Sequence, residues 1–216
     1  MKTRLTIAVL VMFVVLVVAI KSLTYPHPYC WAIAPIEYLH QPDAITCGPT
    51  SVTMVLRHYG FDVEIEDVSV QTKTKWFSFE EKPVGMTSPD CIPKAMKHFG
   101  VPAKLQRGDL ERLKHYVSRN KPCIVLLRSG ETLWHYVVVI GYNKNSYRET
   151  ILLADPGYSA GLYHEVSVES FVGAWSFETD MLGKPMSNDW IVTALRVAEV
   201  YPNTMIVPKQ SFIKDI

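Results

Sequence analysis

Gln41-Pro42-Asp43-Ala44-Ile45-Thr46-Cys47-Gly48-Pro49-Thr50-Ser51 sets one cysteine at the mouth of a helix, and the rest of the 216 residues fall into order around it. Just beyond, Val52, Val55, Leu56 and Tyr59 recur at i, i+3, i+4 and i+7, one apolar helix face, and Gly60 supplies a stop. Pro49 is pre-set in φ for a first turn and lacks an N–H that would go unpaired there. Cys47 is therefore expected where free backbone N–H groups and the positive end of the helix dipole converge, a setting that favours the thiolate, the nucleophilic form. Gly48 is expected to leave room for an incoming carbonyl. Gln41, six residues upstream, is close enough for its amide to turn back toward the sulfur. Beside the backbone N–H of Cys47 it would complete an oxyanion hole. The competing reading is a buried helix-start cysteine and a surface glutamine; the partners decide.

A cysteine nucleophile needs a base within hydrogen-bond reach, and the base needs an orienting group. Of seven histidines, His135 opens the strongly apolar run Tyr136-Val137-Val138-Val139-Ile140, a rigid mount at a sheet rim. Twenty residues on, Asp155-Pro156-Gly157 follows a second apolar run, Ile151 to Ala154. If the two runs pair antiparallel, the start of one faces the end of the other, and His135 and Asp155 become cross-strand neighbours. Alone, the histidine is a packing residue and Asp-Pro-Gly a routine turn. Together they support each other. His58, His98 and His115 lie among lysines and arginines on helices and read as solvated, and His164 is left outside the site.

The run Gln41 to Ser51 with Tyr59-Gly60, the histidine before an apolar strand and the Asp-Pro after the next resemble the C39-like group of papain-like cysteine peptidases, from about Ile36 to Trp175. The resemblance implies a papain-like fold, with Cys47 as nucleophile, His135 as base, Asp155 as its orienter and Gln41 as oxyanion donor. It implies hydrolysis of a peptide or protein substrate through a thioester, with no metal or organic cofactor. The sequence contains no G-x-x-x-x-G-K motif and no multi-span region, so the version fused to a transporter that trims double-glycine leaders is not the one resembled. Two other readings stay open: acyl transfer to an amine by the same residues, and a membrane-tethered module that holds peptides without cutting them.

A formal net charge of +1 with scattered basic residues gives no electrostatic footprint for nucleic acid. Leu5 to Ile20 are sixteen positions without charge, preceded by Lys2 and Arg4 and followed by Lys21. That is short for a spanning helix and long for the apolar region of a secretory signal. With no small-residue cleavage site, an uncleaved anchor over 1–23 is expected, its N-terminus cytoplasmic. The catalytic domain then lies on the extracytoplasmic side, or is secreted if the segment is cleaved. Cys30, Cys47, Cys91 and Cys123 form no CxxC pair. Cys123 reads as an inert core residue, and Cys30 with Cys91 is held as a candidate bridge.

Residues 24–35 read as a lead-in, 36–200 as the catalytic domain and 201–216 as an uninformative tail. Ile36 to His40 suggests a brief strand, Asp62 to Lys75 a loop with a short helix, and Trp76 to Ser88 an irregular loop, either a groove wall or a hydrophobic flap. Ser88-Pro89-Asp90 opens a helix closed by Gly100, and Asp109 caps another; Arg107-Gly108-Asp109 is a turn and a cap rather than an adhesion motif. After Pro122 come strands at Cys123 to Leu127, Tyr136 to Ile140 and Ile151 to Ala154, whose continuous apolar runs suit a sheet covered on both faces. A helix around Val168 to Trp175 and a strand-like Trp190 to Val200 follow. Helices first and sheet second make an α+β order: a helical part carrying the nucleophile, packed on an antiparallel sheet.

Overall fold

In a computed structural model of the chain, the residues described are 32–79, 82–129, 133–144, 148–158, 164–176 and 203–209, together with Met12. In chain order the elements are β1 (Ala32–Ile33), α1 (Cys47–His58), α2 (Ile65–Thr72), β2 (Lys75–Phe79), β3 (Lys82–Met86), α3 (Cys91–His98), β4 (Ala103–Arg107), α4 (Leu110–Val117), β5 (Cys123–Ser129), β6 (Leu133–Lys144), β7 (Glu149–Ala154), β8 (His164–Ser167), α5 (Val168–Trp175) and β9 (Thr204–Pro208). The main sheet runs β4-β9-β5-β6-β7-β8 and is antiparallel throughout, with β1 beside β6 at Ala32↔Tyr142 and Ile33↔Gly141.

Strand alternation divides the core in two. Ile124, Leu126, Tyr136, Val138, Ile140 and Ile206 belong to a cluster with Val52, Val55 and Leu56 of α1 and with Val68, Ile92 and Met96. Val125, Val137, Val139, Ile151 and Leu153 belong to a second cluster with Leu113 and Val117 of α4 and Phe171 and Trp175 of α5. Helices thus cover both faces of the sheet, which is why β5 to β7 are apolar on consecutive positions rather than on alternate ones. The architecture is the expected one of helices packed on an antiparallel sheet. Within it α1 is buried not along one stripe but all round, from Gly48 to Leu56. Fixing it on every side holds its first residue still. Gly60 at φ +81° ends the helix, with its N–H on the carbonyl of Arg57 at 2.9 Å.

The helix starts and stops otherwise follow the sequence. Asp109 Oδ1 accepts from Arg112 N at 2.8 Å, and Gly100, at φ +95°, closes α3. Gly108 lies so close to Trp175 that a Cβ there would come within 2.8 Å of the indole. Several expectations are corrected. Ile36 to His40 forms no strand; pairing is made earlier, by Ala32 and Ile33. Lys75–Phe79 and Lys82–Met86 are not irregular but paired strands, β2 on β3 with Lys75↔Met86 and Phe79↔Lys82, forming a two-stranded sheet of their own. The stretch set apart as a tail contains β9, all five residues buried, inserted between β4 and β5. Strands β4 and β8 carried no clear apolar period, because both alternate half-buried with exposed positions. Trp190 to Val200 and Cys30 lie outside the described residues; Cys47, Cys91 and Cys123 are free thiols.

The membrane anchor is also corrected. Among the described residues no helix is long and apolar enough to cross a membrane. A span needs about 20 residues at 1.5 Å rise each, and the longest described helix, α1, has 12. Leu5 to Ile20, the basis of the expectation, lies outside the described residues except for Met12. The signal-anchor, the membrane partner, the membrane-anchored location and the tethered binding module are withdrawn with it.

Candidate active site

The loop before Cys47 is held by one carboxylate. Asp43 Oδ1 accepts from the backbone N–H of Ile45, the backbone N–H of Thr46 and the Thr46 hydroxyl, each at 2.9 Å. Two N–H groups ahead of the helix are thereby satisfied. The first intrahelical bond runs from Thr50 N to Thr46 O at 2.9 Å, so the N–H groups of Cys47 and Gly48 stand ahead of the ladder, where the helix dipole is positive. Gly48 is buried, and a Cβ there would meet Thr87 Oγ1 at 2.8 Å and Thr87 Cβ at 2.9 Å. Packing at the root of the β2–β3 hairpin therefore requires glycine.

Strand β6 carries His135, paired with Leu127 of β5. Its Nε2 lies 2.5 Å from Asp155 Oδ1, and Cys47 lies near enough to the ring to raise its pKa. With Nε2 on the carboxylate, Nδ1 is the nitrogen left for the sulfur. The side chains of His135 and Asp155 retain 22% and 18% of their exposure, so the pair is accessible at the rim rather than sealed in the core. Strand pairing brings them together, though diagonally. The register Val138↔Ala154, continued outward, sets position 157 opposite 135 and position 155 opposite 137. The place across from His135 is therefore taken by Gly157, where a Cβ would sit 3.3 Å from His135 Cε1.

Burial alone would lower the basicity of His135, but the hydrogen bonds to Asp155 and Cys47 and their negative charges outweigh it and raise its pKa to about 10. For Asp155, burial pushes upward, while the hydrogen bond and charge of His135, the Gly157 N–H and His164 pull further down, leaving it below the usual carboxylate range. The ring is thus held as imidazolium against a carboxylate at neutral pH.

Gln41 is anchored beside this pair, its N–H on the carbonyl of Pro156 at 2.9 Å. Its Nε2 donates to the carbonyl of Asp43 at 2.6 Å, and Oε1 is buried with no partner among the described residues. The amide therefore braces its own loop with one hydrogen and retains a second. A cavity of about 410 Å³ opens next to this loop, between Asp43 and Thr46 on one side and Ile65, Glu66 and Thr74 on the other.

Three contributors were not singled out from the sequence. Tyr38 Oη donates to the carbonyls of Asp155, at 3.0 Å, and Tyr158. Gly157 N donates to Asp155 Oδ1 at 2.8 Å. His164, left outside the site, pairs with Leu153 across β7 and β8, stacks on Tyr158 with centroids 4.5 Å apart and lowers the pKa of Asp155. Only the Asp-Pro-Gly turn carried a signal; the others are set by tertiary placement. His58 is not simply solvated, since its ring nitrogens reach the carbonyls of Pro35 and Asn120 at 2.6 and 3.1 Å. Cys123 is fully buried, and burial pushes its thiol far above the usual range.

The same fold recurs in solved structures. A C39-like peptidase from Bacillus anthracis superposes with a TM-score of 0.60 at 16% identity, covering 84% of this chain and 98% of that one. The peptidase domain of Streptococcus ComA, a bi-functional ABC transporter involved in quorum sensing, gives 0.54 at 22% identity, covering 81% and 98%. These likenesses establish the fold. No curated protein matches the chain. The model of the Peptidase_C39 like family matches residues 33–179, a span that runs through Cys47, His135 and Asp155. That span is well over half of the sequence, and the chain belongs to the Peptidase_C39 like family of cysteine peptidases.

Proposed function

We propose that the chain hydrolyses peptide bonds through a thioester, with Cys47 as nucleophile, His135 as acid and base, Asp155 as the group that orients His135, and Gln41 with the Cys47 N–H as oxyanion donors. The observation that supports this reading is the His135–Asp155 hydrogen bond at the sheet rim, with Cys47 at the start of a buried helix and near enough to His135 to raise its pKa. With the proton already on His135, Cys47 reacts as the thiolate of a thiolate–imidazolium pair and adds to the carbonyl carbon of the scissile bond. Negative charge gathers on the carbonyl oxygen, within reach of the helix-start N–H and the second hydrogen of Gln41 Nε2. As the tetrahedral species collapses, His135 passes its proton to the leaving amine, leaving Cys47 acylated. Water, deprotonated by His135, then attacks the thioester and frees the acid and the thiol. Asp155 stays ionised throughout and stabilises the imidazolium.

The test is twofold: alkylation by iodoacetamide followed across pH, and mass spectrometry of a complex peptide mixture incubated with the enzyme. The reading requires fast alkylation confined to Cys47 and new peptide termini that vanish in Cys47→Ala. Alkylation at the slow rate of a free thiol, unaltered by His135→Ala, would overturn it.

A further inference from the structure

The turn that carries Asp155 is strapped from outside by one short segment. Asp155-Pro156-Gly157-Tyr158 closes on itself through Tyr158 N to Asp155 O at 3.0 Å, and Gly157 N holds the carboxylate through Oδ1 at 2.8 Å. Its outward carbonyls then meet residues 38–41. Tyr38 Oη donates to the carbonyls of Asp155 and Tyr158, and Gln41 N donates to the carbonyl of Pro156 at 2.9 Å. Three of the four turn carbonyls are thus fixed by a segment with no strand or helix of its own, which gives these bonds no sheet ladder to replace them. Tyr38 is half-buried, and both burial and the nearby Asp155 charge keep its hydroxyl protonated, as a donor.

We infer that Tyr38 is a positioning residue for the Asp155–His135 pair, and that the 38–41 strap sets the oxyanion donor and the orienting carboxylate in one fixed relation. The inference rests on the proposed roles of those residues. The phenol's hydrogen bonds go to the turn carbonyls of Asp155 and Tyr158. It acts on the turn, the turn aims the carboxylate, and the carboxylate holds the imidazolium. Because Gln41 lies three residues from Tyr38 and is bonded to the same turn, loss of the hydroxyl displaces both partners of the reacting centre together.

Tyr38→Phe keeps the ring and removes only the donor. The readouts are the pH profile of Cys47 alkylation by iodoacetamide and the ring-proton titration of His135 by NMR, neither of which needs an identified substrate. In Tyr38→Phe the His135 titration moves to lower pH and alkylation at neutral pH slows by on the order of tenfold, the worth of about one hydrogen bond. Retention of the parent titration and alkylation profile in Tyr38→Phe overturns the inference. If the unsubstituted enzyme itself shows no linkage between His135 and Cys47, the catalytic reading fails instead, so the two failures are distinguishable. Should Tyr38→Phe not fold, Gly157→Ala, which crowds the same turn from the His135 side, is read by the same two measurements. An unmoved titration there likewise overturns it.

Discussion

Two cysteines of this chain sit at opposite ends of the same architecture. Cys47 begins α1 at the seam between helices and sheet, half-buried and near a histidine that is itself on a carboxylate. Cys123 begins β5 inside the second core, fully buried among Leu113, Val125 and Val139, its thiol pointed at the carbonyl of Lys121 at 3.5 Å. Both thiols have polar and charged neighbours, Cys123 through Lys121; only Cys47 has a path to solvent. The difference lies not in the residue but in the sheet rim, where a strand end can present an imidazole that the strand middle must bury.

The sharpest way to break this contrast is to delete each sulfur. Cys47→Ala should lower kcat/KM by at least about 10⁴-fold with an unchanged thermal midpoint. Cys123→Ala should leave activity within about threefold while destabilising by about 1–2 kcal/mol through the cavity it leaves, read by denaturant unfolding. A reversed pattern would mean that the core and the site had been confused. Next in size is the base: His135→Ala and Asp155→Asn should each cost about 10²- to 10⁴-fold in kcat, with the fold retained by circular dichroism. Gln41→Ala should cost about 10²- to 10³-fold if its amide faces the developing oxyanion, and markedly less if it only braces the loop at Asp43.

The pH dependence is a finer instrument. His135 is raised from 6.5 to about 10, so its stabilising contribution is complete below 6.5 and is lost as pH climbs through 10. Asp155 is lowered from 3.8, so its contribution is present above 3.8 and lost as pH falls through its depressed value. Alkylation of Cys47 should hold a plateau across neutrality and lose its His135-dependent component toward pH 10. Alkylation of Cys123 should remain negligible until the chain unfolds. In Asp155→Asn the upper limb should move toward neutral pH. Smallest of all, Gly157→Ala should reduce kcat by only several-fold, since a Cβ 3.3 Å from the ring displaces it by tenths of an ångström.

How far the sequence foretold this varies by residue. The α1 segment announced itself through Pro49, the apolar stripe and Gly60, all local devices. Placing Asp155 against His135 required only that two apolar runs pair antiparallel, although the pairing is diagonal. What escaped has a common cause. Tyr38, His164 and Thr87 acquire their roles by contacts across 117, 11 and 39 residues, to Asp155, Leu153 and Gly48 respectively, and no periodicity encodes such meetings. The β2–β3 hairpin was missed because Pro83 and Gly85 read as loop residues. Strand β9 was missed because five residues in a polar surrounding carry little signal, and burial on every side comes only from its neighbours.

That last strand has a consequence for how the molecule comes into being. Residues 204–208 fill the slot between β4 and β5, touching Ile124 and Val125 on one side and the whole of β4 on the other. During synthesis β4 and β5 therefore stay unjoined until residues 204–208 have left the ribosome. Only then does a contact spanning about a hundred residues zip shut. A nascent chain stopped before residue 204 would hold every proposed catalytic side chain and still lack the strand that joins β4 to β5.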